Sequence, residues 1–202
     1  MTHQTFFWLI AASIFLTLNF SCAQDKKSCH QEIPVQSKTD ATMDESIYNL
    51  SSEWKKQDGS IIKLDALKGK TVVMAMVFTH CQSACPRLVA DMQRVQKEVG
   101  NQANVQYVLV SMDPERDTPE RFAEFSNDMQ IDPAWILISG SQANTDEIAN
   151  VLGVKVKKLS DGGFDHSNAI FVIDPNGIII HTQEGLAQEP TETVQKIKSI
   201  NS

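Results

Sequence analysis

The chain has 202 residues, of which 42% are hydrophobic and 21% are charged, and its formal net charge is −7 at pH 7. That length suits one globular domain together with a targeting or tethering segment. The negative charge argues against nucleic-acid binding and against adhesion to anionic lipid, because both depend on basic surfaces.

The N-terminus differs from the rest of the chain. Residues 6–20 are mainly apolar, and no Asp, Glu, Lys or Arg occurs before Asp25. Such a run is typical of the apolar region of an export signal, and it is short for a membrane span, which needs roughly 20 residues. We therefore expect residues 1–22 to be an export signal and the protein to lie in the cell envelope, facing the periplasm.

Two routes of processing compete at the end of this segment. Cleavage after Ala23 would release a soluble protein, whereas cleavage before Cys22 would leave a cysteine for lipidation, as in bacterial lipoproteins. A cysteine directly after the apolar run favours lipidation of Cys22 and membrane association through the N-terminus, and an uncleaved anchor is a third alternative. Residues 23–45 are polar and predict a flexible tether, so the domain is expected to span residues 46–202.

The first half of this domain alternates strand and helix patterns. Residues 50–54 and 61–64 flank an Asp-Gly pair and predict a β-hairpin. Residues 71–78 are almost continuously apolar, as expected for a central strand that is buried on both faces. Residues 86–99 predict a helix that has Pro at its start and Gly after its end, and residues 105–111 predict a second buried strand.

The second half continues the alternation and ends in a hairpin. The patterns predict helices over residues 118–129, 145–152 and 190–200, a strand over 135–139, and a hairpin over 170–173 and 178–182. Strands that alternate with helices indicate crossover connections and a partly parallel sheet, to which the last hairpin adds antiparallel strands. The predicted fold class is α/β, a mixed sheet with helices on both faces and an N-terminal β-hairpin extension.

Cys81 and Cys85 are placed where α/β proteins concentrate their chemistry, directly after a buried strand and at the start of the next helix. The free N–H groups of a helix N-terminus favour thiolate over thiol, so we expect both sulfurs to be activated and partly exposed. Their spacing allows either a disulfide or convergence on one metal ion. Two thiolates favour Cu(I) or zinc, and because a structural zinc site wants four protein ligands, an open copper site is the better match.

Export also bears on the pairing of the four cysteines, since paired cysteines tend to oxidise outside the cytoplasm. If Cys22 is lipidated, Cys29 is left unpaired, and Cys81 and Cys85 form the natural pair. His166 is a candidate third ligand in residues 160–167, which predict a flexible loop that leads into a strand. Asp165 is a candidate acceptor for its second ring N–H. Spacing alone does not establish His166 as a ligand, because a motif needs structural context.

Four motifs in order make the chain similar to a known family. They read Phe-Thr-His-Cys-x-x-x-Cys-Pro at 78–86, Ser-Met-Asp-Pro-Glu-Arg-Asp-Thr-Pro at 111–119, Asp-His-Ser at 165–167 and Ile-Asp-Pro-Asn-Gly at 173–177. From about residue 46 to about residue 185, the sequence resembles the Sco/SenC family. The resemblance implies a thioredoxin-like fold and delivery of copper to the binuclear copper site of cytochrome c oxidase.

By the same resemblance, Cys81, Cys85 and His166 take the places of the two cysteines and one histidine of the family's copper site. The chain departs from the family at Gln82, where a Pro often follows the first cysteine. Two partners are implied, an oxidase subunit that carries the copper site and a thiol reductant that keeps the dithiol open, because a Cys81–Cys85 disulfide would block copper binding.

Three other uses of the same cysteines compete with a copper metallochaperone. The main alternative is a thiol–disulfide oxidoreductase that reduces the copper-ligand cysteines of a target, a reaction that does not need His166. A purely structural disulfide is disfavoured, because bridges that stabilise strongly usually close longer loops. Peroxide reduction is the weakest match, because Thr79 lies only two residues before Cys81.

Overall fold

The computed structural model describes residues 45–201, and the expectations for the export signal, the lipidation of Cys22 and nearly all of the tether lie outside these residues. The strands are β1 (Glu53–Lys56), β2 (Ile61–Lys63), β3 (Thr71–Val77), β4 (Val105–Ser111), β5 (Ile136–Ser139), β6 (Val156–Lys158), β7 (Phe164–His166), β8 (Ala169–Ile173) and β9 (Ile179–Glu184). The α-helices are α1 (Ala84–Val99), α2 (Pro119–Asp128), α3 (Gln142–Leu152) and α4 (Thr191–Ile200).

Seven strands form one mixed sheet in the order β2-β1-β5-β4-β3-β8-β9, while β6 and β7 form a separate two-stranded sheet. The β3–β4 and β4–β5 pairs are parallel, and every other pair in the large sheet is antiparallel. The mixed sheet and the N-terminal hairpin, formed by β1 and β2, are therefore confirmed.

Strand β3 occupies the interior of the sheet, and all of its residues are buried. Burial on both faces explains why its sequence is apolar without alternation. Its last residue, Val77, pairs with Ser111 at the end of β4. The carboxyl ends of the two parallel strands therefore lie side by side, and the segments that follow them become neighbours.

Helix α1 begins two residues earlier than the sequence pattern predicts, at Ala84. The N–H groups of its first turn have no partners within the helix, so Pro86 is accommodated there without loss of a helical hydrogen bond. The buried face of the helix comprises Cys85, Leu88, Val89, Asp91, Met92, Val95 and Val99. Each large apolar side chain buried there contributes about 1.5–3 kcal/mol relative to exposure. Cys85 thus belongs to the buried face of a well-packed helix.

The remaining helices show how local hydrogen bonds set the boundaries. Thr118 accepts the N–H of Arg121 and caps α2, as the Thr-Pro pair predicts. Ser141 accepts the N–H of Asn144, so α3 starts at Gln142 rather than at Thr145. Helices α1 and α4 pack against each other and against β8. Within residues 45–201, no helix has the length and apolar character needed to cross a bilayer.

One element differs from the sequence prediction. Residues 160–167 are predicted to be a flexible loop, but β7 pairs with β6 in an antiparallel hairpin, with His166 opposite Val156. Each strand has only three residues and much of its surface is exposed, so the alternation of apolar and polar side chains is too short to be recognised. The hairpin gives His166 a defined position.

Candidate metal centre

The two cysteines lie in the dithiol loop, residues 78–85, which connects β3 to α1. The chain turns sharply after β3, where the N–H of Cys81 donates to the carbonyl oxygen of Phe78 at 3.1 Å. The N–H of Cys85 then donates to the Sγ of Cys81 at 3.4 Å. The start of α1 therefore directs backbone N–H groups at the sulfur of Cys81.

Cys81 is partly exposed and is the activated thiol of the pair. Burial acts to raise the pKa of Cys81, but the N–H groups of Cys85, Ser83 and Ala84 act in the opposite direction and hold it below the ordinary thiol value. This is the effect expected of a helix N-terminus on a thiolate. The prediction of an activated, partly exposed sulfur is confirmed for Cys81.

The same prediction is wrong for Cys85, whose side chain is 0% exposed. Burial raises the pKa of Cys85 far above the ordinary thiol value, and a negative charge on Cys81 raises it further. The N–H of Phe78, which donates to the Sγ of Cys85 at 3.5 Å, lowers the pKa too little to compensate. The signal that could have predicted this burial is the spacing of Leu88, Val89 and Met92, which lie three, four and seven residues after Cys85 on the buried face of α1.

His166 reaches this pair from the β6–β7 hairpin, which we call the histidine hairpin. Its Nε2 lies 3.9 Å from the Sγ of Cys85, although 81 positions separate the two residues. The rings of His166 and Phe78 meet edge to face with centroids 6.2 Å apart, and the Phe164 ring packs against Phe78 at 5.0 Å. Phe78 therefore joins the dithiol loop to the histidine hairpin.

The orientation of the imidazole leaves Nε2 free to bind a metal. Its Nδ1 lies 3.2 Å from the carbonyl oxygen of Ser167, which can only accept a hydrogen bond, so the ring proton belongs on Nδ1. This carbonyl takes the role that the sequence analysis gave to Asp165. Asp165 is exposed and acts on the ring through its charge.

Burial lowers the pKa of His166, while the hydrogen bond to Ser167 and the charge of Asp165 oppose this change. The net decrease keeps the ring neutral near pH 7, and a neutral imidazole is the form that binds metals. The buried thiol of Cys85 and the neutral Nε2 thus face each other.

The separation of these two atoms fits two ligands of one ion. Bond lengths of about 2.3 Å to sulfur and about 2.0 Å to nitrogen, typical of zinc, allow at most about 4.3 Å between two such ligands. Within residues 45–201, however, no three His, Cys, Asp or Glu side chains are already gathered into a metal-binding group. Cys81, which is partly exposed and lies four residues before Cys85, is the remaining candidate for a third ligand.

A buried network of hydrogen bonds anchors the start of the dithiol loop. The carboxylate of Asp117 accepts hydrogen bonds from the N–H and the hydroxyl of Thr79, at 3.1 and 2.6 Å, and from the hydroxyl of Ser111 at 2.6 Å. Burial raises the pKa of Asp117 despite these bonds. Arg121 donates to the carbonyl oxygen of Thr79 at 2.8 Å and to its hydroxyl at 3.1 Å. The N–H, the hydroxyl and the carbonyl oxygen of Thr79 are therefore all hydrogen-bonded, and these bonds fix the backbone two residues before Cys81.

Sequence reasoning missed the role of Asp117, because Asp, Pro and Thr in residues 111–119 also suit a strand exit and a helix cap. A second side chain in that motif, Arg116, pairs with Asp113 and also donates to the carbonyl oxygen of Gly162. Arg116 therefore ties the segment after β4 to the tip of the histidine hairpin.

Comparisons with known proteins agree with this geometry. A family model described as SCO1/SenC matches residues 42–202. The SCO1 protein homolog of Bacillus subtilis (strain 168) is 25% identical over 155 residues, which cover 74% of this chain and 80% of the relative. The family model thus covers the whole of the described region, and the Bacillus subtilis relative matches 155 residues of the chain.

Three solved structures share the architecture. A SCO1/SenC family lipoprotein from Bacillus anthracis str. Ames has a TM-score of 0.68 and 27% identity, covering 77% of this chain and 96% of that one. ScoI of Bradyrhizobium japonicum, with copper bound, has a TM-score of 0.64 and 27% identity, with coverages of 74% and 96%. BsSco, a member of the Sco family of cytochrome c oxidase assembly proteins in which a disulfide switch is identified, has a TM-score of 0.66 and 26% identity, with coverages of 74% and 90%. The predicted thioredoxin-like α/β fold is confirmed.

Proposed function

Because this chain belongs to the SCO1/SenC family, we propose that it is a copper metallochaperone that binds copper through Cys81, Cys85 and His166 and delivers it to the copper site of cytochrome c oxidase. The observation that carries the proposal is the 3.9 Å approach of the His166 Nε2 to the Cys85 Sγ. Disulfide chemistry does not need an imidazole at that position. The copper bound to ScoI and the membership of BsSco in a family of oxidase assembly proteins support the same function.

The two thiols have different roles in copper binding. The pKa of Cys81 is lowered and its side chain is partly exposed, so it is the first sulfur that an arriving ion meets. Cys85 must lose its proton on binding, since thiolates and not thiols are metal ligands. Its buried position excludes water from one side of the ion, and two sulfurs with one imidazole form a low-coordinate site that suits copper.

Release to a partner follows from the exposure of Cys81. A thiolate of the partner bonds to copper, the bond to the Cys81 sulfur breaks, and the Cys81 thiolate remains without any change in the oxidation state of copper. Cys85 and His166 then follow in turn. A thiol reductant is needed only when Cys81 and Cys85 have been oxidised to a disulfide.

Copper stoichiometry of the fully reduced protein tests the ligand set. We expect one copper per chain in the parent, a large loss of affinity in Cys81→Ala and Cys85→Ala, and a loss of nitrogen ligation by X-ray absorption in His166→Ala. His80→Ala is the matched control, because His80 is an exposed histidine next to Cys81, and its Nδ1 lies 3.3 Å from the hydroxyl of Thr79. If His166→Ala binds copper with the affinity and spectrum of the parent, the ligand assignment is wrong.

One observation favours a second function, a thiol–disulfide oxidoreductase. An exposed thiol of lowered pKa beside a buried thiol of raised pKa is the arrangement of an attacking and a resolving cysteine. Cys81 would attack a target disulfide and form a mixed disulfide, and Cys85 would then displace the reduced target and leave a Cys81–Cys85 disulfide. Full reductase activity in His166→Ala, in a protein that retains no copper, would favour this function.

Location in the cell envelope is part of the proposal. We propose that the chain is exported and held at the membrane through Cys22, in the manner of the lipoprotein from Bacillus anthracis. Fractionation of cells that express the parent and Cys22→Ala tests this point. Release of the variant alone into the soluble fraction, together with loss of the mass of an acyl anchor, is the expected result.

A further inference from the structure

A cavity of about 440 Å³ opens beside Cys81, and neither Cys85 nor His166 lines it. Its walls come from the dithiol loop and from α2, and its lining residues are Thr79, His80, Cys81, Gln82, Pro86, Arg121, Glu124, Phe125, Asp128 and Met129. The volume falls within the range of about 300–1,000 Å³ that is usual for ligand pockets. Cys81 therefore borders a preformed space whose lining includes neither of its two proposed co-ligands.

We propose that this cavity is the docking site for the partner's receiving cysteine, and that this cysteine has an apolar and a basic side chain beside it in the partner's chain. The inference rests on the proposed exchange of copper, or of a disulfide, with a partner. It adds the direction of approach and the chemistry of the partner's segment.

The direction follows from accessibility. Cys85 is completely buried, and the His166 ring is partly buried and meets Phe78 edge to face. Cys81 is the one sulfur of the pair with exposed surface, and it forms part of the cavity wall. A thiolate that enters the cavity thus meets Cys81 before either of the other two side chains.

The apolar side chain follows from the inner lining of the cavity. Phe125 is 3% exposed and contributes a ring face, while Pro86 and Met129 add further apolar surface. Methionine is flexible and adapts to the shape of a partner. An apolar side chain next to the incoming cysteine would remove this surface from water, which is favourable in proportion to its area.

The basic side chain follows from the charges around the opening. The guanidinium of Arg121 is already used by Thr79 and by Glu124, to which it donates at 2.9 Å. Asp128 is exposed at the rim and has no ion-pair partner within residues 45–201. The opening therefore carries one uncompensated negative charge, in a chain whose net charge is −7. This field attracts a basic segment and repels small anionic thiols.

Competing activated peptides test the inference. The probes are the peptides Lys-Leu-Cys, Glu-Leu-Cys and Lys-Gly-Cys, and the tripeptide glutathione, each as the mixed disulfide with 5-thio-2-nitrobenzoate. The Cys81 thiolate attacks the cysteine sulfur of the probe, a new disulfide forms, and the nitrobenzoate leaves as a coloured thiolate that reports the rate. At low ionic strength we expect Lys-Leu-Cys to react about fivefold faster than Glu-Leu-Cys, with glutathione slowest.

Charge reversal at the rim identifies where the selectivity comes from. Asp128→Lys should reverse the order of Lys-Leu-Cys and Glu-Leu-Cys. The control Glu98→Lys makes the same charge change near the far end of α1, about 20 Å along the helix from Cys85, and should keep the order of the parent. Substituting Gly for Leu in the probe should slow the reaction in every variant.

Each outcome decides for or against the docking site. Equal rates for the basic and acidic peptides, an order unchanged in Asp128→Lys, or a fastest reaction with glutathione would each overturn it, the last by assigning the cavity to a small thiol. Copper titration of the same proteins keeps the two proposals separate. Asp128→Lys should still bind copper fully, whereas a parent that binds no copper would refute the metallochaperone and leave the peptide ranking to be judged by itself.

Discussion

The dithiol loop and the histidine hairpin contribute to one candidate site, but the protein holds them in different ways. The loop continues the most buried strand of the sheet and is anchored by Asp117 and Arg121 through Thr79. The hairpin has two three-residue strands outside the main sheet, and such isolated hairpins are marginally stable by themselves. The sulfur of Cys85 is therefore held by the core, whereas the imidazole of His166 is positioned by a short hairpin outside the main sheet.

Removal of the Asp117 carboxylate, which anchors the dithiol loop through Thr79, should have the largest effect on stability. Asp117→Ala leaves the N–H and hydroxyl of Thr79 and the hydroxyl of Ser111 buried without their acceptor, so we expect the free energy of unfolding to fall by about 3 kcal/mol. Denaturant unfolding measures the change. Asp128→Ala, which removes an exposed carboxylate from α2, should change it by less than about 0.5 kcal/mol. A similarly small effect of Asp117→Ala would show that the loop does not depend on this network.

The second-largest effect should be a difference in the alkylation rates of the two thiols. Because Cys81 has a lowered pKa and some exposure, and Cys85 a raised pKa and none, we expect iodoacetamide to modify Cys81 at least about a hundredfold faster at pH 7. Mass spectrometry of digested protein gives both rates, and Cys85→Ser supplies the rate of Cys81 without its neighbour.

The dependence of these two modification rates on pH should show whether the pKa of each cysteine is lowered or raised. The rate at Cys81 should reach half its maximum below the ordinary thiol pKa of about 8.5, whereas that of Cys85 should still be rising above it. Comparable rates at neutral pH would contradict the division between an attacking and a buried sulfur.

These differences mark what the sequence could and could not predict. Residues 105–111 form β4 as predicted, and β3 ends one residue earlier than predicted, because strands buried on both faces have long apolar runs. The position of both cysteines, after a buried strand and around the start of the next helix, was also predictable. The burial of Cys85 could have been predicted from the apolar residues three, four and seven positions later, Leu88, Val89 and Met92, but the sequence prediction started the helix one residue after Cys85.

The position of His166 beside Cys85 is the clearest example of a feature that local sequence patterns cannot predict. Its approach to Cys85 depends on the packing of Phe164 against Phe78, which are far apart in the sequence. Periodicity reports on one element at a time. Only the resemblance to a family placed His166 with the cysteines, and the resemblance did not indicate that Ser167, rather than Asp165, orients its ring.

Loosening the hairpin should weaken copper binding without unfolding the domain. Phe164→Ala removes the ring that packs on Phe78 at 5.0 Å, so we expect copper affinity to fall about tenfold while the free energy of unfolding changes by no more than about 1 kcal/mol. Competition titration against a chromophoric copper chelator measures the affinity. Leu159→Ala, an exposed apolar residue next to β6, is the control. Equal affinities in the two variants would mean that the hairpin does not position His166.

The smallest effect concerns the protonation of His166. Burial lowers the pKa of its ring, so the folded protein binds this proton less readily than the unfolded chain does. The resulting contribution to stability is present above the unfolded value of about 6.5 and is lost as the pH falls through the folded pKa. Because the pH window lies below about 6.5 and the ring is only half-buried, we expect less than about 1 kcal/mol between about pH 7 and about pH 5. NMR titration of the ring protons should place the pKa of His166 below the ordinary histidine value of about 6.5, and in His166→Gln the part of the pH dependence due to this ring should disappear. A pKa of His166 above that value would mean that the ring is not held against Phe78 in solution, and the hairpin would then have to close on the dithiol loop only when copper arrives.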